Sequence, residues 1–255
     1  MDTISDSQNL QCEIEDTINN ETSMDNGNTD FKSGFTLKSH WLSLLLLVIQ
    51  ISVALGISRY IPDNAKVPIH WNMDGIADNF TSPQKAVWFL WAINVTLVLF
   101  FMLLPLFSVR YSASKGRFDR IMPSICSTTV LFIAILQIMS LMSAAEMVNL
   151  AGIHILTAVG IMFILLGNLL PKLPSSFFVG IRTPWSLSSE SVWRRTHSTG
   201  GITFMISGLI MITLPRIIPA PWGFRAAMIS MILLVLIPVV QSFLLFRAEK
   251  STSGL

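Results

Sequence analysis

With 52% hydrophobic and 13% charged residues, a formal net charge of +2 and a mean hydropathy of +0.61, this 255-residue chain is too apolar to be an ordinary soluble domain. Its two cysteines, Cys12 and Cys126, exclude a disulfide framework and a cysteine metal cluster. No Walker, Rossmann, zinc-protease or nucleophile-elbow motif is present.

In chain order, residues 1–30 come first, with eight acidic and no basic residues among many Asn, Ser and Thr. Such a stretch buries too little apolar surface to offset the entropy of ordering, so residues 1–37 are expected to form a disordered acidic tail. It does not have the basic start, apolar core and small-residue cleavage site of a signal peptide. Crossing the hydrocarbon core takes about 20 apolar residues. Six segments qualify: 41–57, 87–107, 124–143, 153–170, 202–218 and 224–246. The fifth is interrupted near its end by Pro215 and Arg216, and Pro105 and Pro238 are expected to kink or end their helices.

Six spans place both termini on one side of the membrane. Twelve of the 17 Lys and Arg residues fall on that side and five on the other. Basic residues are retained inside, so both termini are predicted to be cytoplasmic. The expected fold is all-α: a polytopic membrane protein of about six transmembrane helices, with a short turn-containing external loop and a cytoplasmic loop carrying a short helix. Its organisation is read as the tail at 1–37, two spans with the external loop at 38–110, and a four-span module at 111–255.

The external loop runs Val67-Pro-Ile-His-Trp-Asn-Met-Asp-Gly-Ile-Ala-Asp-Asn-Phe-Thr-Ser-Pro83. Alternation of Val67, Ile69 and Trp71 with polar neighbours predicts a short strand entering an Asp-Gly turn. The cluster of His70, Asn72, Asp74 and Asp78 also resembles the start of a calcium loop, but the downstream bidentate Glu is absent. Turn structure, recognition of a ligand or peptide by His70, Asn72, Asp74 and Gly75, and metal binding remain open on composition, with turn chemistry the simplest.

Ionisable groups at mid-bilayer mark ion pathways, and the spans hold essentially none. Gln50, Asn94, Gln137, Asn168 and Gln241 are expected to hydrogen-bond between helices. Cys126 carries no functional signal. Glu146 and His154 lie at the ends of a short external turn. Gly160 and Gly167, seven residues apart, share a helical face that a neighbouring helix can approach closely.

The cytoplasmic loop, Phe178-Val-Gly-Ile-Arg-Thr-Pro-Trp-Ser-Leu-Ser-Ser-Glu-Ser-Val-Trp-Arg-Arg-Thr-His-Ser-Thr-Gly-Gly201, combines arginines, tryptophans and a histidine beside the bilayer. Thr183-Pro184 favours an extended or turning chain. Ser188 or Ser189 then caps a short helix over about 189–197, with Glu190 and Arg194 spaced for an i,i+4 ion pair and Trp193 and His197 sharing a face. Gly200 and Gly201 are expected to end that helix and release the chain into the fifth span. By residue type alone, tryptophan at an interface and arginine beside phosphates suggest anchoring. His197 and His70 are the plausible acid–base groups of an enzyme, but no nucleophile or ligand set accompanies them.

The order of residues adds a resemblance. Gly180-Ile-Arg-Thr-Pro-Trp185, followed by Ser-Glu-Ser-Val-Trp193-Arg-Arg-Thr-His197 and Gly-Gly, resembles the signature of the SdpI family of bacterial membrane proteins. Asn168 and Pro171-Lys172 also fit, while Ser176 stands where that pattern usually has Asn. The external string from Pro68 to Phe80 is similar to a small membrane domain of unknown function that commonly precedes this module. Together the resemblance covers about residues 40–246.

It implies a multi-pass protein of the bacterial inner membrane, not an enzyme, that protects its cell against a secreted antimicrobial peptide and that reports the toxin by recruiting a transcriptional repressor to the membrane. No cofactor, metal or direct nucleic-acid partner is implied beside the lipid bilayer. On this reading the external loop senses the peptide. Asn168, Gly180, Arg182, Thr183, Pro184, Trp185, Trp193 and His197 then serve ligand or partner binding. The alternative is a small transporter or lipid-binding membrane protein.

Overall fold

The computed structural model describes residues 38–108, 111–148 and 152–252. The expected acidic tail, Cys12 and Arg110 lie outside the described residues. The elements are α1 (Trp41–Ser58), β1 (Val67–Trp71), β2 (Ala77–Thr81), α2 (Pro83–Phe107), α3 (Tyr111–Ala144), α4 (Gly152–Leu169), α5 (Pro184–Ser188), α6 (Glu190–Ile217) and α7 (Trp222–Thr252), with a 3-10 turn at Leu170–Lys172. The fold is helical, with one two-stranded sheet among the described residues. Six of the helices are long and apolar enough to cross a membrane, in the number and order that hydropathy predicts.

Three differences from the expected boundaries have physical causes. The basic connection before the third span is helical: Lys115, Arg117 and Arg120 ride on the first turns of α3, past a non-helical Ser114. Helices α2 and α6 end two residues after Pro105 and Pro215, whereas Pro238 does not end its helix, since α7 runs through it to Thr252. Neighbouring helices can compensate the lost amide in such an environment. Gly200 and Gly201 do not end a short helix either, because α6 is continuous from Glu190 to Ile217. Breaking it there would expose backbone groups that only a continuous helix satisfies in hydrocarbon.

The glycines serve packing instead. A Cβ on Gly201 would lie 2.7 Å from the Gly167 carbonyl, and one on Gly208 would lie 2.3 Å from the Gly160 carbonyl. Two glycine pairs, each seven residues apart on antiparallel helices, therefore bring α4 and α6 backbone to backbone, the small-residue route to association where lipid removes the hydrophobic drive.

The first three helices are joined by polar groups. Gln50 Nε2 donates to Gln137 Oε1 at 2.5 Å, Asn94 Nδ2 donates to Gln50 Oε1 at 2.9 Å, and Gln137 Nε2 donates to the Ala86 and Val87 carbonyls at 2.9 and 2.7 Å. All three side chains are fully buried, so these amides tie α1, α2 and α3 together as the sequence leads one to expect. Asn168, by contrast, is exposed on α4.

Replacing Gly208 with Ala should lower thermal stability in detergent by about 1–3 kcal/mol, the cost of overpacking. Gly56→Ala is the control, since nothing lies within 4 Å of a Cβ there, and its melting point should not fall. Equal melting of both variants would argue against the glycine seam.

Candidate functional sites at the two ends of the bundle

At one end the sequence around Asp74-Gly75 closes a hairpin. β1 and β2 pair antiparallel, Val67 opposite Thr81 and Trp71 opposite Ala77. Asn72 Oδ1 accepts from the amides of Asp74 (2.9 Å) and Ile76 (3.0 Å), and Gly75 supplies the positive φ of +76° that the turn requires. Asn72 and Gly75 are thus committed to the turn itself.

The turn is also fastened to the far half of the chain. Arg225, at the start of α7, donates from Nε to Asp74 Oδ1 at 2.6 Å and from Nη2 to Asp74 Oδ2 at 3.1 Å. Its guanidinium also lies 5.3 Å from the Trp222 ring centroid. Gly75 leaves no room for a side chain: a Cβ there would meet the Phe224 ring at 2.5 Å, and a Cβ on Gly152 would meet the Gly75 carbonyl at 2.3 Å. A forked charged pair and two glycine seats therefore lock the hairpin onto α4 and α7. The hydrogen bond from Arg225, reinforced by its charge, holds the Asp74 carboxyl below the usual carboxylate range. His70 and Asp78 form a second pair at 2.6 Å, with both side chains largely open to solvent. No group of three or more potential metal-ligating side chains (His, Cys, Asp, Glu) occurs among the described residues.

At the other end, residues 173–189 form a strap across the bundle. Thr183 is extended, as a residue before proline should be, and opens α5. Its Oγ1 accepts from the Ser186 amide at 3.0 Å while Ser186 Oγ accepts from the Thr183 amide at 3.0 Å, a reciprocal cap that the Thr-Pro-x-Ser spacing could have announced. Thr183 Oγ1 also meets Ser242 Oγ of α7 at 2.9 Å, and the Trp185 ring packs edge-on against Phe243 at 4.9 Å.

His197 and Trp193, one helical turn apart on α6, are completely buried and stacked at 3.9 Å. The Ile181 amide donates to His197 Nε2 at 2.9 Å, and His197 Nδ1 lies 2.8 Å from the Trp193 carbonyl. One tautomer, with the proton on Nδ1, satisfies both bonds. Trp193 Nε1 donates to the Leu173 carbonyl at 3.0 Å. Gly180, at φ +119°, passes so close that a Cβ would lie 2.5 Å from His197 Nε2. Gly180, Thr183, Trp193 and His197 are therefore brought together in the joint that holds the strap, with Thr183, Trp193 and His197 buried and Gly180 exposed.

Arg182 remains exposed, its guanidinium reaching the Phe177 carbonyl. Arg194 and Arg195 are exposed on α6, and among the described residues Glu190 and Arg194 do not form the expected ion pair. Ser176 is buried and accepts from the Phe178 amide at 3.2 Å. Reading by sequence missed Arg225, Phe224, Ser186, Ser242 and Gly208. Arg225 is one of the five Lys and Arg residues on the side away from the termini, and nothing in its local sequence marks it as the partner of Asp74.

Comparison with known proteins agrees with the family resemblance. Residues 172–244, which contain the strap, α6 and most of α7, match the SdpI/YfhL protein family. The chain is also 22% identical over 219 residues to Immunity protein SdpI of Bacillus subtilis (strain 168), covering 86% of this chain and 99% of that protein. The family match does not extend to the hairpin. No solved structure matches.

Arg225→Ala should loosen the hairpin, read as faster hydrogen exchange at the amides of Asp74 and Ile76, and Arg225→Asp with Asp74→Arg should restore part of the protection. A depressed native pKa means that the Asp74 contribution is complete above its unfolded value of about 3.9 and is lost as pH falls through the lower folded value. Exchange at the turn should therefore stay flat from pH 7 to 5 once corrected for intrinsic rates. Loosening within that window would contradict the clamp.

Proposed function

We propose that this chain, which carries the SdpI-family region at residues 172–244, is a membrane immunity protein that protects a bacterial cell against a secreted antimicrobial peptide. The observation that carries this reading is the alignment to Immunity protein SdpI over nearly the whole of that protein, so that the hairpin half and the strap half are both represented. The excess of Lys and Arg on the side of the termini supports placing the strap in the cytoplasm and the hairpin outside.

In this arrangement the peptide meets the hairpin end, where His70 and Asp78 are solvent-open. The hairpin is fastened to α7 at Arg225, and α7 contacts the strap through Ser242 and Phe243. One continuous helix therefore links the two ends. A cytoplasmic repressor, if recruited, would find Arg182, Arg194 and Arg195 on the accessible surface, while Trp193 and His197 keep that surface in place. A transporter is less supported, because Gln50, Asn94 and Gln137 are engaged with one another and with backbone.

Expression in a host sensitive to such a peptide should raise survival. His70→Ala should reduce that protection at unchanged membrane abundance, whereas combined Arg182→Ala, Arg194→Ala and Arg195→Ala should spare survival and abolish any reporter response. Survival indistinguishable from an empty vector, across a panel of secreted antimicrobial peptides, would remove the immunity reading.

A further inference from the structure

A groove of about 520 Å³ lies between the hairpin and the first turns of α2, lined by Ile69, Thr81, Lys85, Trp88, Phe89 and neighbours. Its position follows from sequence. Ile69 is skipped by the strand register, falling between the pairs Pro68–Phe80 and His70–Asn79, and 44% of its surface is exposed. Such a bulge re-aims a side chain, here towards the groove. On the other wall, Lys85, Trp88 and Phe89 follow the i, i+3, i+4 rule onto one face of α2.

The depths of these groups differ in a useful way. Lys85 is the third residue of α2, at the end of a membrane-spanning helix where headgroups lie. Trp88 and Phe89 sit about 5 Å further along the axis, at 1.5 Å per residue. They are 52% and 67% exposed, and the apolar wall continues down α2 through exposed Ile93 and Phe100. Neither Lys85 nor the Thr81 hydroxyl has a side-chain partner among the described residues. The groove thus offers a cation and a hydroxyl at headgroup level, over an apolar track that runs towards the bilayer centre.

We propose that this groove is a binding site for a single anionic phospholipid, its phosphodiester held by Lys85 and Thr81 and one acyl chain laid along Trp88, Phe89 and Ile93. Charge complementarity selects an anionic headgroup, and the continuation of the wall into the hydrocarbon selects an acyl chain over a peptide arriving from water. The site is independent of the immunity reading. It also abuts the hairpin through Ile69 and Thr81, so its occupant would brace β1 and β2.

The test is native mass spectrometry of the full-length protein, released from detergent micelles doped with phosphatidylglycerol or with phosphatidylcholine. Wild type should retain one phosphatidylglycerol in preference to phosphatidylcholine. Lys85→Glu should cut that preference about fivefold or more, the effect expected for a lysine beside an anionic headgroup. Lys85→Arg and Lys66→Ala should keep it, and Trp88→Ala should lower retention of both lipids. Thermal melting of each variant separates lost binding from lost folding, and if Lys85→Glu fails to fold, Lys85→Gln and Thr81→Val carry the comparison. Equal retention of the two lipids, or a preference untouched by Lys85→Glu in folded protein, would overturn the proposal. So would capture of a synthetic apolar peptide with a free carboxylate that depends on Lys85 while phosphatidylglycerol retention does not.

Discussion

The hydrogen bond from the Ile181 amide to His197 Nε2 is the contact on which the strap end of the bundle depends. Residues 173–183 have no helix or ladder to satisfy their backbone, and they lie against apolar helices where an unmet amide is costly. A neutral imidazole answers this need because it donates at one nitrogen and accepts at the other. His197 closes its own helix through Trp193 and accepts from the strap, while Trp193 returns a bond to Leu173. Gly180 is required beside them by its left-handed backbone and by its closeness to the imidazole. The Gly-Ile-Arg-Thr-Pro-Trp and Trp-Arg-Arg-Thr-His strings are therefore two sides of one packed joint.

The hairpin end answers a different constraint. Here the turn is already satisfied internally by Asn72, and the problem is to hold a small sheet, marginal by itself, against the helices. Asp74 and Arg225 do so with a forked pair, and Gly75 and Gly152 allow the approach that the pair demands. Trp193 belongs to the same buried cluster as Leu47, Val98, Phe101 and Met122 from the first three helices. Both motifs thus join the amino-terminal helices to α4, α6 and α7, one at each end. Helix α7 takes part at both ends, through Arg225 at the hairpin and Ser242 at the strap.

Much of this was legible in the chain. Hydropathy set the number and order of the spanning helices, because a segment with no water to bond must be long, apolar and helical. Asn72, Asp74 and Gly75 announced a turn, and Gly160 with Gly167 announced a close helix contact. The short helix expected to stop at Gly200 was misread, since glycine is a helix stop in water but a packing surface between membrane helices.

By itself the sequence determined the six apolar helices, the hairpin turn, the shared face of Trp193 and His197 and the family resemblance, all of which rest on local spacing or residue order. Only the tertiary structure decided that Asp74 meets Arg225, that Gly160 and Gly167 meet Gly208 and Gly201, and that His197 accepts from Ile181. The first of these pairs spans 151 positions in the chain. No periodicity encodes such a partner, because side-chain complementarity across a bundle becomes specific only when the helices have packed.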